Sequence, residues 1–250
     1  MNHTTTSASG ALIAGALCLA LGPATLSGQE SAGRQPTAED RAGIERLLSS
    51  YPQALGSCAA EDYARNFESP DGFYESSFRG RVQGFEKLVA LVESEGHCND
   101  GSTVNTREPF DPAALSRLEM TADGATGIVS LGDRGHYQDV YVKTPSGWRF
   151  RSRTNISAQA RAAGVTARDL AEIRVLAGEG QGRFADIYAD MGTGRHFRSS
   201  GVVVVEIDGP RVRGRVQLKN DGGRYDDVYV RTGGGWRFES RTYVPATASR

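Results

Sequence analysis

The sequence predicts an α+β fold, and three observations carry that expectation. Amphipathic helical stripes come first, extended runs dominate from Leu115 onward, and one hairpin motif recurs in three places. The first helix begins at a capping-box-like Thr37-Ala-Glu-Asp40. After it, Ile44, Leu47, Leu48, Tyr51, Ala54 and Leu55 repeat at helical spacing, and Gly56-Ser57 ends the run. A short helix follows around Glu61–Phe67, with Tyr63 and Phe67 one turn apart. Pro70-Asp71-Gly72 reads as a turn and Phe73–Arg81 as extended. A third helix is expected from Phe85 to Ser94, with Phe85, Leu88, Val89 and Val92 inward and Gly96 as its stop.

In the strand-rich remainder, Asp123-Gly124 and Asp208-Gly209 mark hairpin turns. Gly135–Ile156 and Gly223–Val244 share 14 identities in 22 ungapped positions. A weaker third copy, Gly182–Gly201, keeps Gly182, Asp186, Tyr188, Gly194, Phe197, Arg198 and Ser199. Each copy reads as strand, turn and strand. With the turn at Pro145-Ser146, Tyr141 is expected opposite Phe150 and Asp139 opposite Ser152. Uniform alternation then puts Trp148, Phe150, Ser152 and Thr154 on one face, and Arg149, Arg151 and Arg153 on the other. A polar, Ala-rich connection follows, and Thr166-Ala-Arg-Asp169 caps a further helix carrying Leu170, Ile173 and Leu176.

Composition bounds the partners. With 250 residues and 38% hydrophobic content, the core is large enough to fold without metals or many disulfides. Net charge is −1 and no basic block stands out, which argues against nucleic acid. Ala11 to Gly22 is an uncharged apolar run, shorter than the about 20 residues a bilayer core requires. It reads as a secretory signal peptide over residues 1–28, cut near Ser27 or Gly28, so the protein is expected to be secreted or periplasmic. No membrane span is expected in the mature chain, and Cys18 lacks a lipoprotein cleavage context. The exported chain keeps Cys58 and Cys98, an even pair in an oxidising compartment, and a disulfide is favoured over two buried thiols.

Several of these residues carry a family resemblance. Ile44-x-x-Leu47-Leu48-x-x-Tyr51-x-x-Ala54-Leu55 and Tyr63-x-x-x-Phe67 are followed by Gly84 and His97, then by Gly135-x-Tyr137-x-Asp139 leading to Gly147-Trp148-Arg149-Phe150-x-x-Arg153. Together they resemble the SnoaL-like branch of the nuclear transport factor 2-like superfamily over about residues 37–156. The second half resembles the sheet portion of the same fold. The resemblance implies helices packed on a strongly curved antiparallel sheet, a cone with a pocket between them, here extended by a second sheet-rich half. The expected layout is a SnoaL-like domain at 37–156, a linker at 157–168, and a helix plus antiparallel sheet at 169–244.

The resemblance also implies a small hydrophobic organic ligand, with Tyr51, His97, Asp139 and Arg153 at pocket-lining positions. Relatives commonly carry Asp directly after the Ala-Leu pair, where this chain has Gly56. For isomerase-, cyclase- or lyase-type proton transfer, His97 is the natural base and Tyr51 the oxyanion donor. The plain alternatives are a loop histidine beside a disulfide and a tyrosine packed in the core. Asp139 has counterparts in Asp186 and Asp227, which favours a role in the fold, as repetition does for Trp148 and Trp236. No cofactor and no metal are expected, because His97-Cys98, His136 and His196 lack ligand spacing and no phosphate-binding or nucleophile motif is present. The competing reading is a non-catalytic ligand-carrying or protein-interaction module, and a homodimer is an open assembly. Sequence does not decide between enzyme and binding module.

Overall fold

The computed structural model describes residues 34–76, 80–95, 98, 110–178, 187–190, 196–199, 202–208, 210–218 and 223–246. Side chains are described throughout these except at 187–190, 196–199 and 202–206. The predicted signal segment lies outside the described residues, as do His97 and Asp186.

Helix α1 (Ala38–Gly56) begins where Thr37 accepts the amide of Asp40, and it buries Ile44, Leu47, Leu48, Tyr51, Ala54 and Leu55. The turn after it leads into α2 (Ala60–Arg65), which buries Tyr63 and Ala64. Two short strands, β1 (Phe73–Ser76) and β2 (Gly80–Gln83), form a hairpin before α3 (Phe85–Glu93). On α3 the inward side chains are Leu88, Leu91 and Val92, whereas Phe85 is 41% exposed at the first turn. This corrects its predicted inward placement: the ring borders an open cleft with Phe67 and Leu88.

Strands β3 (Leu115–Met120), β4 (Ala125–Ser130), β5 (Gly135–Thr144) and β6 (Gly147–Ser157) form a meander. The β1–β2 hairpin joins its β6 edge, giving the order β2-β1-β6-β5-β4-β3. The β1–β6 pairing is parallel, so the sheet is mixed and not antiparallel throughout. Among the described residues no sheet is closed or strongly curled, and the expected cone is therefore not formed. The reason lies in what covers the sheet. Tyr74, Tyr141 and Phe150 face α1, α2 and α3 in one apolar core. Ile156, on the opposite face, belongs to a second core with Leu170 and Ile173 of a later helix. A sheet packed on both faces stays open, and a parallel strand pair is stable where both faces are covered.

That later helix is α5 (Ala167–Ala177), reached through the short α4 (Ala158–Ala162). Thr166 and Asp169 make a reciprocal capping box at its start, and Gly178 ends it in a left-handed conformation at φ 106°. Its first amide donates to Gln138 Oε1 of β5, which docks α5 on the back of the first sheet. Beyond α5 come the hairpin β7 (Ile187–Asp190) and β8 (His196–Ser199), then β9 (Val202–Asp208), β10 (Arg211–Gln217), β11 (Arg224–Thr232) and β12 (Gly235–Val244). The last four form an antiparallel sheet in the order β12-β11-β10-β9. The recurring hairpin is thus an antiparallel pair in each copy, but the copies sit in three different sheets.

Register corrects a further expectation. Tyr141 does pair with Phe150, but Asp139 pairs with Arg153, and Ser152 lies opposite Val140. A β-bulge between Val140 and Tyr141 absorbs one extra residue on β6. Alternation is reset at that point, so Arg153 turns to the same face as Phe150. Gly135 opens β5 at φ 118°, where a side chain would meet Ile156 O at 2.0 Å, so only glycine fits. Trp148 packs against α1 at Gly43, whose missing Cβ leaves room for the indole.

Candidate functional site

The bulge gives the first core its polar centre. Arg153 is 3% exposed and lies among aromatic rings, its Cζ 4.3 Å from the Tyr51 ring centroid, 3.9 Å from Tyr137 and 4.7 Å from Phe150. Asp139, also buried, faces it with Oδ2 3.6 Å from Nη2. Tyr141 donates its hydroxyl to the same oxygen at 2.9 Å. From the helical side Tyr51 and Tyr63 bring their hydroxyls to 3.3 Å of each other. Phe67 packs on Tyr51, Tyr63 and Phe150.

This cluster is not internally satisfied. Among the described residues, Asp139 Oδ1, Arg153 Nε and Arg153 Nη1 have no hydrogen-bond partner. A buried polar atom left unpaired costs about 1–3 kcal/mol, and more when charged. Three such atoms around one ion pair are therefore unusual in a site whose only task is stability. Burial pushes the Asp139 carboxyl up to about 6, because the attraction of Arg153 and the Tyr141 hydrogen bond offset the desolvation only in part. Burial likewise raises the Tyr51 and Tyr63 hydroxyls above the ordinary phenol range, so both are protonated donors at neutral pH.

The raised carboxyl has a consequence for stability. Its folded pKa stands above the value of 3.8 taken for the free side chain. Folding therefore favours its protonated form, and stability falls as pH rises from about 4 through about 6. Asp139→Asn is expected to remove that decline. Against wild type it gains stability at pH 7, by up to about 3 kcal/mol, and gains little at pH 4. Denaturant unfolding at both pH values checks this, and an equal effect at each would refute it.

Of the residues singled out from sequence, the fold brings together Tyr51, Asp139 and Arg153. His97 is outside the described residues, but its neighbour Cys98 is bonded to Cys58, with Cα atoms 5.5 Å apart. That disulfide ties the end of α1 to the residues following α3. Sequence reasoning did not assign Tyr63, Tyr137 or Tyr141 to the site. Period-2 spacing of Tyr137, Asp139 and Tyr141 was the available signal for two of them. Among the described residues no group of three His, Cys, Asp or Glu side chains could hold a metal. No described helix is long and apolar enough to cross a membrane.

Two open clefts flank the β5–β6 turn, with volumes of about 460 and 350 Å³. Phe67 lines the larger cleft together with Leu88 and Phe85, so it borders both the cleft and the aromatic cluster.

Residues 36–154 match the family model described as a SnoaL-like domain. No curated protein is a significant match to the chain. Among solved structures, the chain is similar to an NTF2-like protein with a cystatin-like fold from Novosphingobium aromaticivorans. That protein is 24% identical over 50% of this chain and 88% of its own, with a TM-score of 0.36. A domain of unknown function with a cystatin-like fold from Nostoc punctiforme is 14% identical over 58% of this chain and 92% of its own, at a TM-score of 0.37. A protein of unknown function from Mycobacterium tuberculosis is 13% identical over 83% of this chain and 72% of its own, at a TM-score of 0.25.

Proposed function

Because residues 36–154 belong to the SnoaL-like branch of the nuclear transport factor 2-like superfamily, we propose that the chain, once exported, binds a small and largely apolar organic molecule with one polar, oxygen-bearing end at the Asp139–Arg153 centre. The observation that carries this is the set of unpaired buried atoms there, two donors on Arg153 and one acceptor on Asp139. A carbonyl oxygen would accept from the Arg153 donors, a hydroxyl would in addition donate to Asp139 Oδ1, and the surrounding rings would take the apolar body. Entry would be from the larger cleft, past Phe67.

The same groups suit isomerase-, cyclase- or lyase-type proton transfer. Arg153 and Tyr51 would donate to a carbonyl oxygen as negative charge develops on it. A carboxyl pushed up to about 6, as at Asp139, works as acid or base near neutral pH. His97 is the further candidate base from the sequence. A non-catalytic role, as an interaction or carrier module, is favoured by one observation: the ring centroids of Tyr63, Phe150 and Tyr137 lie 5.0, 5.7 and 6.2 Å from that of Tyr51, close enough to pack on it.

A panel of hydrophobic carbonyl compounds screened by thermal shift tests binding, with turnover followed for every hit. Arg153→Met is expected to weaken a hit about ten- to hundredfold, the loss of one charge-assisted hydrogen bond. Tyr51→Phe separates the roles, since it should reduce turnover more than affinity if the hydroxyl stabilises an oxyanion. Absence of any hit, or equal binding by Arg153→Met, rejects the proposal. Binding without turnover leaves the carrier role.

A further inference from the structure

The family match ends at residue 154, yet the chain beyond it repeats the same construction. Thr37 and Asp40 cap α1, and Thr166 and Asp169 cap α5. Aligned on those caps, Ala38, Ala42, Ile44 and Leu47 recur as Ala167, Ala171, Ile173 and Leu176. In each case a cation from the long hairpin that ends the copy, β5–β6 or β11–β12, grips the capping carboxylate. Lys143 Nζ lies 3.0 Å from Asp40, and Arg231 Nη2 lies 2.6 Å from Asp169. Lys143, Trp148, Asp139, Tyr141 and Arg153 find Arg231, Trp236, Asp227, Tyr229 and Arg241 each 88 positions on.

Topology repeats with the sequence. The meander β6-β5-β4-β3 has the same order as β12-β11-β10-β9. The bulge recurs at the same step, between Val140 and Tyr141 and between Val228 and Tyr229. Thr144 and Thr232 each donate to the carbonyl of the glycine that opens the next strand, at 2.8 Å. A shared strand order arises readily by convergence. A shared bulge, cap and cap-to-hairpin ion pair at matching positions do not.

We infer that residues 166–244 are a second, shortened SnoaL-like copy, in which the Asp–Arg–Tyr trio has become a structural strut, leaving the first copy as the one that binds. The first half of that statement stands on the repeat alone, and the second rests on the binding role proposed above for Asp139 and Arg153. In the second copy the trio is closed. Arg241 donates to both oxygens of Asp227, from Nε at 2.8 Å and from Nη2 at 2.7 Å, and Nη2 also reaches Ala177 O at the end of α5 at 3.3 Å. Tyr229 adds a hydroxyl at 2.6 Å. In the first copy the same ion pair stands at 3.6 Å with three atoms unpaired. A strut commits its donors to its own fold, whereas a binding site holds them back. The residue aligned with Tyr51 in the second copy is Gly180, so the helix-borne phenol is missing there.

Ligand-free thermal unfolding of matched variants decides the assignment. Arg241→Met removes three charge-assisted hydrogen bonds, two to Asp227 and one to Ala177 O, and is expected to lower the midpoint by roughly 6–12 °C. Arg153→Met removes an ion pair together with two unsatisfied donors and should move the midpoint by less than about 3 °C in either direction. Should Arg241→Met fail to fold, the lysine pair serves: Arg241→Lys loses the two-pronged contact and lowers the midpoint, and Arg153→Lys leaves it nearly unchanged. Equal losses at the two positions, or a larger loss at Arg153, overturn the strut. No ligand enters this measurement, so failure of the carbonyl panel and failure of this inference are separate results.

Discussion

Glu75→Ala is expected to reduce the free energy of unfolding by about 3–5 kcal/mol, because it strips a buried carboxylate from one buried and one half-buried guanidinium group. Glu75 Oε1 lies 3.2 Å from Arg174 Nη1 and Oε2 lies 3.1 Å from Arg81 Nη2. Glu75 is 4% exposed and Arg174 1%, so water cannot replace the lost partner without opening the packing. The pair also joins β1 of the first copy to α5 of the second. Urea unfolding of Glu75→Ala, Arg174→Met and the double variant checks the claim. A double variant whose loss equals or exceeds the sum of the single losses would show that the two side chains do not act as a pair. Since Tyr74 pairs with Arg153 across β1 and β6, loss of Glu75 should also weaken any ligand of the first copy.

Replacing Cys58 and Cys98 together by serine is expected to cost about 4 kcal/mol, the chain entropy released when a loop of 40 residues is no longer closed. The effect should be reproduced in the unaltered protein by a reductant strong enough to open the bond. Denaturant midpoints with and without reductant measure it, and mass spectrometry under the same conditions confirms which species is present. A midpoint indifferent to reductant, with both thiols shown to be free, would mean that the helical layer is held by packing alone. The bond anchors the stretch that leads into α2, and α2 supplies Tyr63 to the aromatic cluster.

Both predictions concern contacts of unequal legibility. Cys58 and Cys98 were readable as a pair because the expected export would leave two cysteines in an oxidising compartment. Glu75, Arg81 and Arg174 gave no signal, since none belongs to a recognised motif; Glu75 and Arg81 are cross-strand partners in the β1–β2 hairpin, and Arg174 joins them only when α5 docks on the back of the first sheet. Tyr51 was legible as a buried helical position and Asp139 as an inward strand position. Arg153 was read as a candidate site residue, yet alternation placed it on the face with Arg149 and Arg151. An inserted residue in a strand carries no local mark in the sequence here, and one insertion moves every later side chain to the other face.

Sequence alone determined the local structure: the capped helices, the three hairpins, the pairing of Tyr141 with Phe150 and the cysteine partners. These follow from short-range rules, namely residue spacing, turn chemistry and the count of thiols. Tertiary structure decided the rest. It turned Arg153 into the core opposite Asp139, and it left the first sheet open because α5 occupies the face that a cone would leave outside. The first outcome rests on a bulge within one hairpin and the second on contacts between segments far apart in the chain; in both, the energy of burial chooses among local arrangements that the sequence permits equally.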